Sequence, residues 1–223
     1  MISTGKNFED LEIIKKNSFD SKHNAYVGFF RHNKNHKQIA YEIFTPAGPL
    51  AVLPAPNKRK KTSTFIFSTK KKMTFNNLSQ LINKNFQLSH GKINLMPSTS
   101  CFPIRPHLSK TTQSDVLLLG DAAHSIHPVA GQGWNLGIKD IQELGLCLDN
   151  YNLDDLNFDK IYFSKRVIEN ISYLSFTNAI NFLYESEKPF AKYIIKIIYS
   201  SLFKFSFLKK LFVRQAMGKI NLV

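Results

Sequence analysis

The sequence predicts a mixed α/β fold, in which an antiparallel sheet comes first, a strand–loop–helix motif follows, and helices form the C-terminal part. Three observations lead to this prediction. The first half holds four short segments rich in aromatic and β-branched residues, with turn signals between them. An apolar run at residues 116–119 ends in Gly-Asp, as a strand buried on both faces would. From there onward, apolar residues recur mostly at helical spacing.

The antiparallel sheet is predicted from four segments: residues 25–31, 38–45, 49–54 and 62–69. Turn signals separate them at residues 33–37, 46–49 and 57–61. A helix follows, because Phe75, Leu78, Leu81 and Ile82 are spaced as they would be on one helical face. Short strands are expected near Ile93 and Ile104.

Composition limits the class of protein. The chain has 223 residues, of which 43% are hydrophobic and 13% aromatic, so it is long and apolar enough to bury a core. Its net charge of +14 suits nucleic acid, an anionic membrane or an anionic ligand, although a general excess of Lys, Asn, Ile and Phe accounts for much of it. No nucleic-acid-binding motif is present, so we expect no nucleic-acid partner.

Cysteine use and hydropathy suggest where the protein resides. Cys101 and Cys147 form neither a disulfide framework nor a metal-binding spacing, which fits a reducing compartment. The first residues lack the apolar core of a secretory signal, and no uncharged apolar run reaches the roughly 20 residues of a membrane span. We therefore expect a cytoplasmic protein, either free or peripheral to a membrane.

The segment after the apolar run predicts a ligand site. Asp121 follows the carboxyl end of the predicted strand, where ligands bind in open α/β sheets, and its carboxylate could accept hydrogen bonds from a ligand hydroxyl. Gly131, Gly133 and Gly137 stand where a helix is expected to begin, and its free N–H groups would favour negative charge. That helix is predicted from Trp134, Ile138, Ile141, Leu144 and Leu148.

Alternative sites in this segment are weaker. The glycines do not follow the strand directly, so a dinucleotide grip on pyrophosphate fits less well than an extended planar anion. Asp121, His124 and His127 have the side-chain types of a zinc site but no evident fourth ligand, so no metal is expected. Ser125 lacks the nucleophile elbow of a hydrolase.

Residues 120–140, GDAAHSIHPVAGQGWNLGIKD, resemble the second flavin-binding motif of the FAD-dependent aromatic-ring monooxygenases, of the p-hydroxybenzoate hydroxylase type. The ubiquinone-biosynthesis hydroxylases are the most similar subgroup. Residues 44–54, 102–108 and 214–218 also resemble that subgroup. Together these stretches extend the resemblance from about residue 25 to the C-terminus.

The resemblance implies roles for individual residues. Asp121 would bond to the ribityl chain of FAD, and Pro128 would lie near the reacting face of the isoalloxazine. The backbone of Gln132 and Gly133 would face its pyrimidine edge. The implied cofactor-binding residues are Gly120, Asp121, Pro128, Ala130, Gly131, Gln132, Gly133, Trp134 and Asn135. The implied substrate-pocket residues are Phe44, Pro46 and Leu53.

The resemblance also implies a reaction and a division into domains. NAD(P)H would reduce the flavin, and O₂ would then hydroxylate a phenol that carries a polyprenyl tail. No catalytic residue is identified, and His124 and His127 are expected to hold the loop rather than to act as bases. The implied domains are a remnant of the FAD domain or linker (1–23), a substrate-binding sheet domain (24–107), the C-terminal part of the FAD domain (108–157) and a helical region (158–223).

The sequence departs from the family at its start. No GxGxxG turn for the ADP half of FAD occurs, and residues 3–7 look like a remnant of the family's Gly-Ala-Asp-Gly motif, with Thr4 in place of the acid. A truncated gene model, an enzyme split into two chains, and a decayed fragment all remain open. We expect an inactive isolated chain with an exposed apolar edge at residues 116–119. A separate chain carrying the ADP-binding half, or other ubiquinone-pathway proteins, would be its partners; the alternative is a non-catalytic scaffold that binds membrane or protein.

The C-terminal end is basic, with no acidic residue after Lys188. On one continuous helix Lys192, Lys196, Lys210 and Arg214 would share a face, unless Ser200, Ser201 and Ser206 break it. Such a helix could lie on an anionic membrane or pack on its own domain, and the sequence leaves both open. The first alternative would place the protein at the inner face of a membrane.

Overall fold

The computed structural model describes residues 1, 3, 14–18, 22–55, 60–111, 116–152, 157–186 and 188–216. The chain forms two compact units, one of Ser21–Ile104 and one that combines Met1–Asp20 with Arg105–Val223. Most of the predicted remnant at residues 3–7, of the turn at 57–61 and of the end of the 214–218 motif lies outside the described residues.

The Ser21–Ile104 unit is an antiparallel sheet with one helix, as the sequence predicts. Its elements are β2 (His23–His32), β3 (Tyr41–Thr45), β4 (Gly48–Pro54), β5 (Thr62–Thr69), α1 (Phe75–His90), β6 (Ile93–Leu95) and β7 (Ser100–Ile104). The strands are ordered β3-β4-β5-β2-β6, and β7 also pairs with β2. The hairpin β3–β4 is joined by a turn after Thr45, whose hydroxyl donates to the Gly48 carbonyl at 2.7 Å.

Helix α1 covers one face of this sheet. Its buried residues Leu78, Ile82 and Phe86 repeat every fourth position and pack against Phe30 and Phe65. Thr74 begins the helix by accepting a hydrogen bond from the Asn77 N–H at 3.2 Å. The core of this unit therefore lies between α1 and one face of the sheet.

The second unit is built from a small sheet and four helices. Its elements are β1 (Ile14–Ser18), β8 (His107–Thr111), β9 (His124–Ser125), α2 (Gly133–Asn150), α3 (Phe158–Glu185), α4 (Pro189–Lys204) and α5 (Ser206–Ala216). The strand order is β1-β8-β9, and both pairings are antiparallel. None of the helices among the described residues combines the length and hydropathy needed to span a bilayer.

The predicted strand at residues 116–119 does not form, and the prediction of an exposed edge there is wrong for the side chains. Within the described residues, only an isolated bridge at Leu118 joins this segment to another. Leu117 is buried with Leu144 and Cys147 of α2 and with Phe158 and Tyr162 of α3. Among the described residues, no strands flank this segment on both sides, as a central strand requires, and the two helices cover its apolar side chains instead.

The helix predicted after the glycines forms as α2, although most of the apolar residues that predict it are exposed. The buried residues are Leu136, Asp140, Leu144 and Cys147, so only Leu144 belongs to the predicted set. Trp134 is 79% exposed and Ile141 is 64% exposed. Two apolar stripes of helical period exist on α2, and the one that contains Asp140 faces inward, where its apolar members pack against α3.

The C-terminal part is helical as predicted, but it is not one continuous helix. The helix is interrupted at Phe205, so Lys192 and Lys196 lie on α4 while Lys210 and Arg214 lie on α5. Ser200 and Ser201 stay inside α4, and Ser206 begins α5. The four cations therefore do not share one helical face.

Candidate functional site

The turn at Gly120–Ala122 holds Asp121 between two hydrogen bonds to the backbone. The Gly120 N–H donates to Asp140 Oδ2 at 2.8 Å, and His107 Nε2 donates to the Asp121 carbonyl at 3.0 Å. Gly120 has φ +58°, a conformation that favours glycine. The backbone is thus fixed on both sides, while the Asp121 carboxylate is exposed and available to a ligand.

A second turn, Pro128–Ala130, leads into α2. Gly131 ends it in the left-handed region with φ +59°, and its N–H donates to the Pro128 carbonyl at 2.9 Å. Val129 is buried and its N–H donates to His127 Nδ1 at 3.3 Å, whereas Pro128 is exposed. The turn is therefore held in place by the buried Val129, and its exposed side, at Pro128, is accessible to a ligand.

The N-terminus of α2 follows, and among the described residues no side chain caps it. Its first turn contains no acidic residue, so the positive end of the helix dipole is not neutralised there. Asn135 Nδ2 donates to Gln132 Oε1 at 2.8 Å and orients both amides. This arrangement is suited to a negatively charged planar group.

The glycines of the motif surround open space. A Cβ placed on Gly120, Gly131 or Gly133 would meet no heavy atom within 4 Å, and one on Gly137 would lie 3.9 Å from Gly120 Cα. The close approach at Gly137 explains how the Gly120 turn rests on α2. The other three glycines leave room beside Asp121 and the helix end, and this donor and acceptor set fits the polyol and the anionic edge of a flavin.

A buried ionic network, which the sequence analysis missed, supports the site. The Asp140 carboxylate is almost fully buried and accepts from His124 Nε2 at 2.7 Å and from Arg166 Nε at 2.9 Å, in addition to Gly120. Because Asp140 stands four residues from both Leu136 and Leu144 on the buried stripe of α2, its position is the signal that could have found it.

Arg166 links this carboxylate to α3. It also donates to Glu169, to Asn170 Oδ1 at 3.2 Å and to the Leu136 carbonyl at 3.5 Å, and Lys139 pairs with Glu169. Burial lowers the pKa of Arg166, but the charges of Asp140 and Glu169 outweigh it and hold the pKa above its ordinary value. The network therefore ties the Gly120 turn, α2 and α3 together through charged hydrogen bonds.

The other polar residues of the loop are placed in the interior. His124 and His127 are buried, and His124 is engaged with Asp140. Ser125 lies on β9, opposite His107 of β8. In the part of the chain that the structure describes, no group of three His, Cys, Asp or Glu residues is arranged to hold a metal.

The predicted substrate-pocket residues lie in the other unit. Phe44 on β3 and Leu53 on β4 are half-buried, and Pro46 is exposed in the turn between these strands. Leu50 and Val52 point into the core under α1, so alternation along the strand places Leu53 on the opposite face. Phe44 shares that face, because its neighbour Ile43 packs on the core.

A family model described as an FAD binding domain matches residues 13–151. The chain is 26% identical over 202 residues to the mitochondrial ubiquinone biosynthesis monooxygenase COQ6 of Schizosaccharomyces pombe, covering 68% of this chain and 42% of that protein. It is 28% identical over 212 residues to the ubiquinone hydroxylase UbiL of Rhodospirillum rubrum, covering 89% and 48%. Over 109 residues, it is 36% identical to the 3-demethoxyubiquinol 3-hydroxylase of Escherichia coli, covering 47% and 28%.

Solved structures share the fold at low identity. The Diels-Alderase PyrE3 of pyrroindomycin biosynthesis has a TM-score of 0.68 and 17% identity, with 93% of this chain and 46% of that chain covered. A Klebsiella pneumoniae HpxO variant complexed with FAD has a TM-score of 0.63 and 13% identity, with 94% and 57% covered. The chain spans less than half the length of each of the three curated relatives, COQ6, UbiL and the 3-demethoxyubiquinol 3-hydroxylase.

Proposed function

Because this chain belongs to the FAD binding domain family, we propose that it carries the flavin- and substrate-binding part of an FAD-dependent hydroxylase of ubiquinone biosynthesis. The exposed Asp121 carboxylate beside glycine-lined space at the start of α2 is the observation that supports this most strongly. The names of the relatives support the pathway.

The proposed cofactor contacts are those that the resemblance to the flavin motif implies, and the chemistry of the site supports them. Asp121 accepts hydrogen bonds from the ribityl hydroxyls, and the turn from Pro128 to Gly131 lies along the isoalloxazine. Backbone N–H groups at Gln132 and Gly133 face its pyrimidine edge, where the positive end of the helix dipole stabilises negative charge. Gly120, Ala130, Trp134 and Asn135 complete the proposed set. FAD bound there supplies the redox chemistry of hydroxylation, with NAD(P)H as the reductant and O₂ as the oxidant.

The proposed substrate is a phenol with a polyprenyl tail. The half-buried apolar face of the sheet that holds Phe44 and Leu53 offers a surface on which such a substrate can lose its water. Pro46 fixes the turn at the end of that hairpin. These residues position the ring and exclude water, and the sequence identifies no base among them.

The proposed contacts hold the isoalloxazine and ribityl part of FAD and leave its ADP half without a binding motif. No GxGxxG turn for the ADP half of FAD occurs among these 223 residues. A small groove of about 40 Å³ lies beside Val116, Leu118 and Tyr162. Within the described residues, the buried Tyr162 hydroxyl and Asp159 Oδ1 have no hydrogen-bond partner there. Trp134 and Ile141 are exposed on the other face of α2, and we propose that further polypeptide packs against these two surfaces.

The same exposed surfaces favour a second candidate, a non-catalytic subunit that binds a partner or a membrane. Flavin affinity separates the two candidates, because a scaffold has no need of Asp121. We propose a cytoplasmic location at the membrane periphery for either one, since a polyprenyl tail partitions into the bilayer.

Asp121→Ala is expected to weaken FAD binding by about tenfold or more, because charge-assisted hydrogen bonds to the ribityl chain are lost. Titration of the purified chain, followed by flavin fluorescence, measures the change. Asp149→Ala is the matched control, since it removes an exposed acid at the far end of α2. Equal dissociation constants for the two variants would contradict the proposed role of Asp121.

A further inference from the structure

Helix α4 exposes large apolar side chains that no part of the described chain covers. Phe190 is 72% exposed and Phe203 is 88% exposed, and Tyr193 and Ile197 are exposed as well. Phe190, Tyr193 and Ile197 are spaced at i, i+3 and i+7, so they share one face of the helix. A contiguous apolar face of this kind marks an interaction surface.

This face is not the one that holds α4 in the fold. Ala191, on another side of the helix, is buried, and α4 packs on α3. The Tyr184 hydroxyl of α3 donates to the Tyr199 hydroxyl of α4 at 2.8 Å and fixes their contact. The helix is therefore anchored by one side, and its exposed apolar residues are free to contact something else.

Positive charge accompanies the apolar residues on both C-terminal helices. Lys192 and Lys196 are exposed at i and i+4 of α4, beside the apolar face. On α5, Lys209, Lys210 and Arg214 are exposed, and Phe207 is 71% exposed. No acidic residue follows Lys188. A partner for this surface must therefore combine negative charge with an apolar interior.

We propose that α4 and α5 form a docking surface for an anionic lipid bilayer, on which Phe190, Phe203 and Phe207 enter the interface and the lysines contact phosphate headgroups. The two helices have 16 and 11 residues, too short to cross a membrane but long enough to lie in its interface. Aromatic residues beside lysines are suited to the headgroup region.

A lipid surface explains the composition better than a protein does. A second copy of this chain would bring together two surfaces that are both basic, which like charges oppose. A bilayer supplies anionic headgroups above an apolar layer. The inference rests on the proposed function in one respect only: a polyprenyl substrate dissolved in the bilayer gives the docking its purpose.

Vesicle co-sedimentation of the full chain, without flavin, tests the proposal. The vesicles contain phosphatidylcholine alone or phosphatidylcholine mixed with phosphatidylglycerol. The chain is expected to bind the anionic vesicles, and higher salt is expected to weaken binding, because the lysines are exposed. Binding to neutral vesicles with equal affinity, or none to anionic vesicles at low salt, overturns the proposal.

Two pairs of variants assign the binding to these helices. The double variant Lys192→Glu, Lys196→Glu is expected to reduce the affinity for anionic vesicles by about tenfold or more. The control, Lys71→Glu with Lys72→Glu, makes the same charge change on exposed residues before α1 and is expected to bind these vesicles more tightly than the first double variant does. Phe203→Ser is expected to weaken binding several-fold, whereas Leu88→Ser, at a residue of α1 that is 93% exposed, changes it little.

Equal losses within both pairs would overturn the assignment to α4 and α5. So would a lipid-free dimer that Phe203→Ser converts to a monomer, because the surface would then bind a second copy. Flavin titration of the same variants separates this proposal from the proposed function. Vesicle binding that fails while FAD affinity is retained removes only the docking surface, and the reverse result removes only the flavin site.

Discussion

Arg166→Ala is expected to lower the free energy of unfolding by about 3–5 kcal/mol, because it leaves the buried carboxylate of Asp140 without its cationic partner. Asp140 would keep only His124 and the Gly120 N–H, and Glu169 would lose a partner as well. Chemical denaturation followed by circular dichroism measures the change. FAD affinity is expected to fall too, since Asp140 holds the turn that presents Asp121.

Lys165→Ala is the control for this prediction, since it alters the neighbouring residue of the same helix. Lys165 pairs with Glu143 at 3.2 Å on the exposed side of α3, where water screens the charges, so little change in stability is expected. If the two variants proved equally stable, Arg166 would not anchor the site and the network would be an incidental feature of the surface between α2 and α3.

The second large effect is a loss of stability in acid, caused by two buried histidines in the sheet unit, His32 and His90. His32 lies 4.7 Å from His90 and 5.9 Å from His36 between ring centroids. His32 Nε2 bonds to Ser63 Oγ at 3.0 Å, while His90 packs edge-on against the Phe86 ring. Burial, and then the neighbouring histidines, lower the pKa of His90 to about 4, and burial also lowers the pKa of His32.

The sign of the effect follows from the direction of these pKa shifts. In the unfolded chain a histidine takes up its proton near its ordinary pKa of about 6.5, whereas the folded chain keeps His90 neutral down to about 4. The unfolded state therefore binds more protons in this interval. The contribution of these two histidines to stability is expected to be complete above about pH 7.5 and to fall by a few kcal/mol as the pH drops toward 4. Glu42, whose pKa burial raises to about 7, acts in the opposite direction over this interval.

Denaturation curves between pH 7.5 and about 4.5 measure this loss. His90→Gln is expected to lower stability at neutral pH, where packing is lost, but to flatten its pH dependence. Leu78→Ala is the matched control, because it removes packing in the same core without removing a titrating group, so it should keep the full slope in acid. A wild-type slope in His90→Gln would mean that other groups cause the acid sensitivity.

The strands and α1 could be predicted from sequence because their signals are local. Aromatic and β-branched runs with turns between them determine β2 to β5, and a single apolar stripe determines α1. The candidate flavin motif could be proposed for the same reason, since Gly120 to Asn135 is one continuous stretch. Residues within such a stretch can be identified without knowing which distant parts of the chain they contact.

The features that sequence analysis missed depend on distant contacts. Asp140 and Arg166 lie 26 residues apart, and neither shows from its own neighbourhood that it meets the other. On α2, two stripes have the same helical period, and contacts with distant elements, above all α3, decide which one is buried. The break at Phe205 contains neither glycine nor proline, and Ser206, which begins α5, is its one local signal, while Ser200 and Ser201 stay inside α4. The segment 116–119 has the composition of a central strand, but among the described residues no strands flank it on both sides.

The central claim is that this chain binds the isoalloxazine and ribityl part of a flavin. The ratio of its dissociation constants for FAD and FMN, obtained by fluorescence titration of the 223-residue chain, tests that claim most directly. Both flavins contain the part that Asp121 and the start of α2 are proposed to hold, and these residues include no GxGxxG grip for the ADP half of FAD. We therefore predict saturable binding of both flavins with affinities within about threefold of each other. If neither FAD nor FMN bound to the chain, the claim would be contradicted.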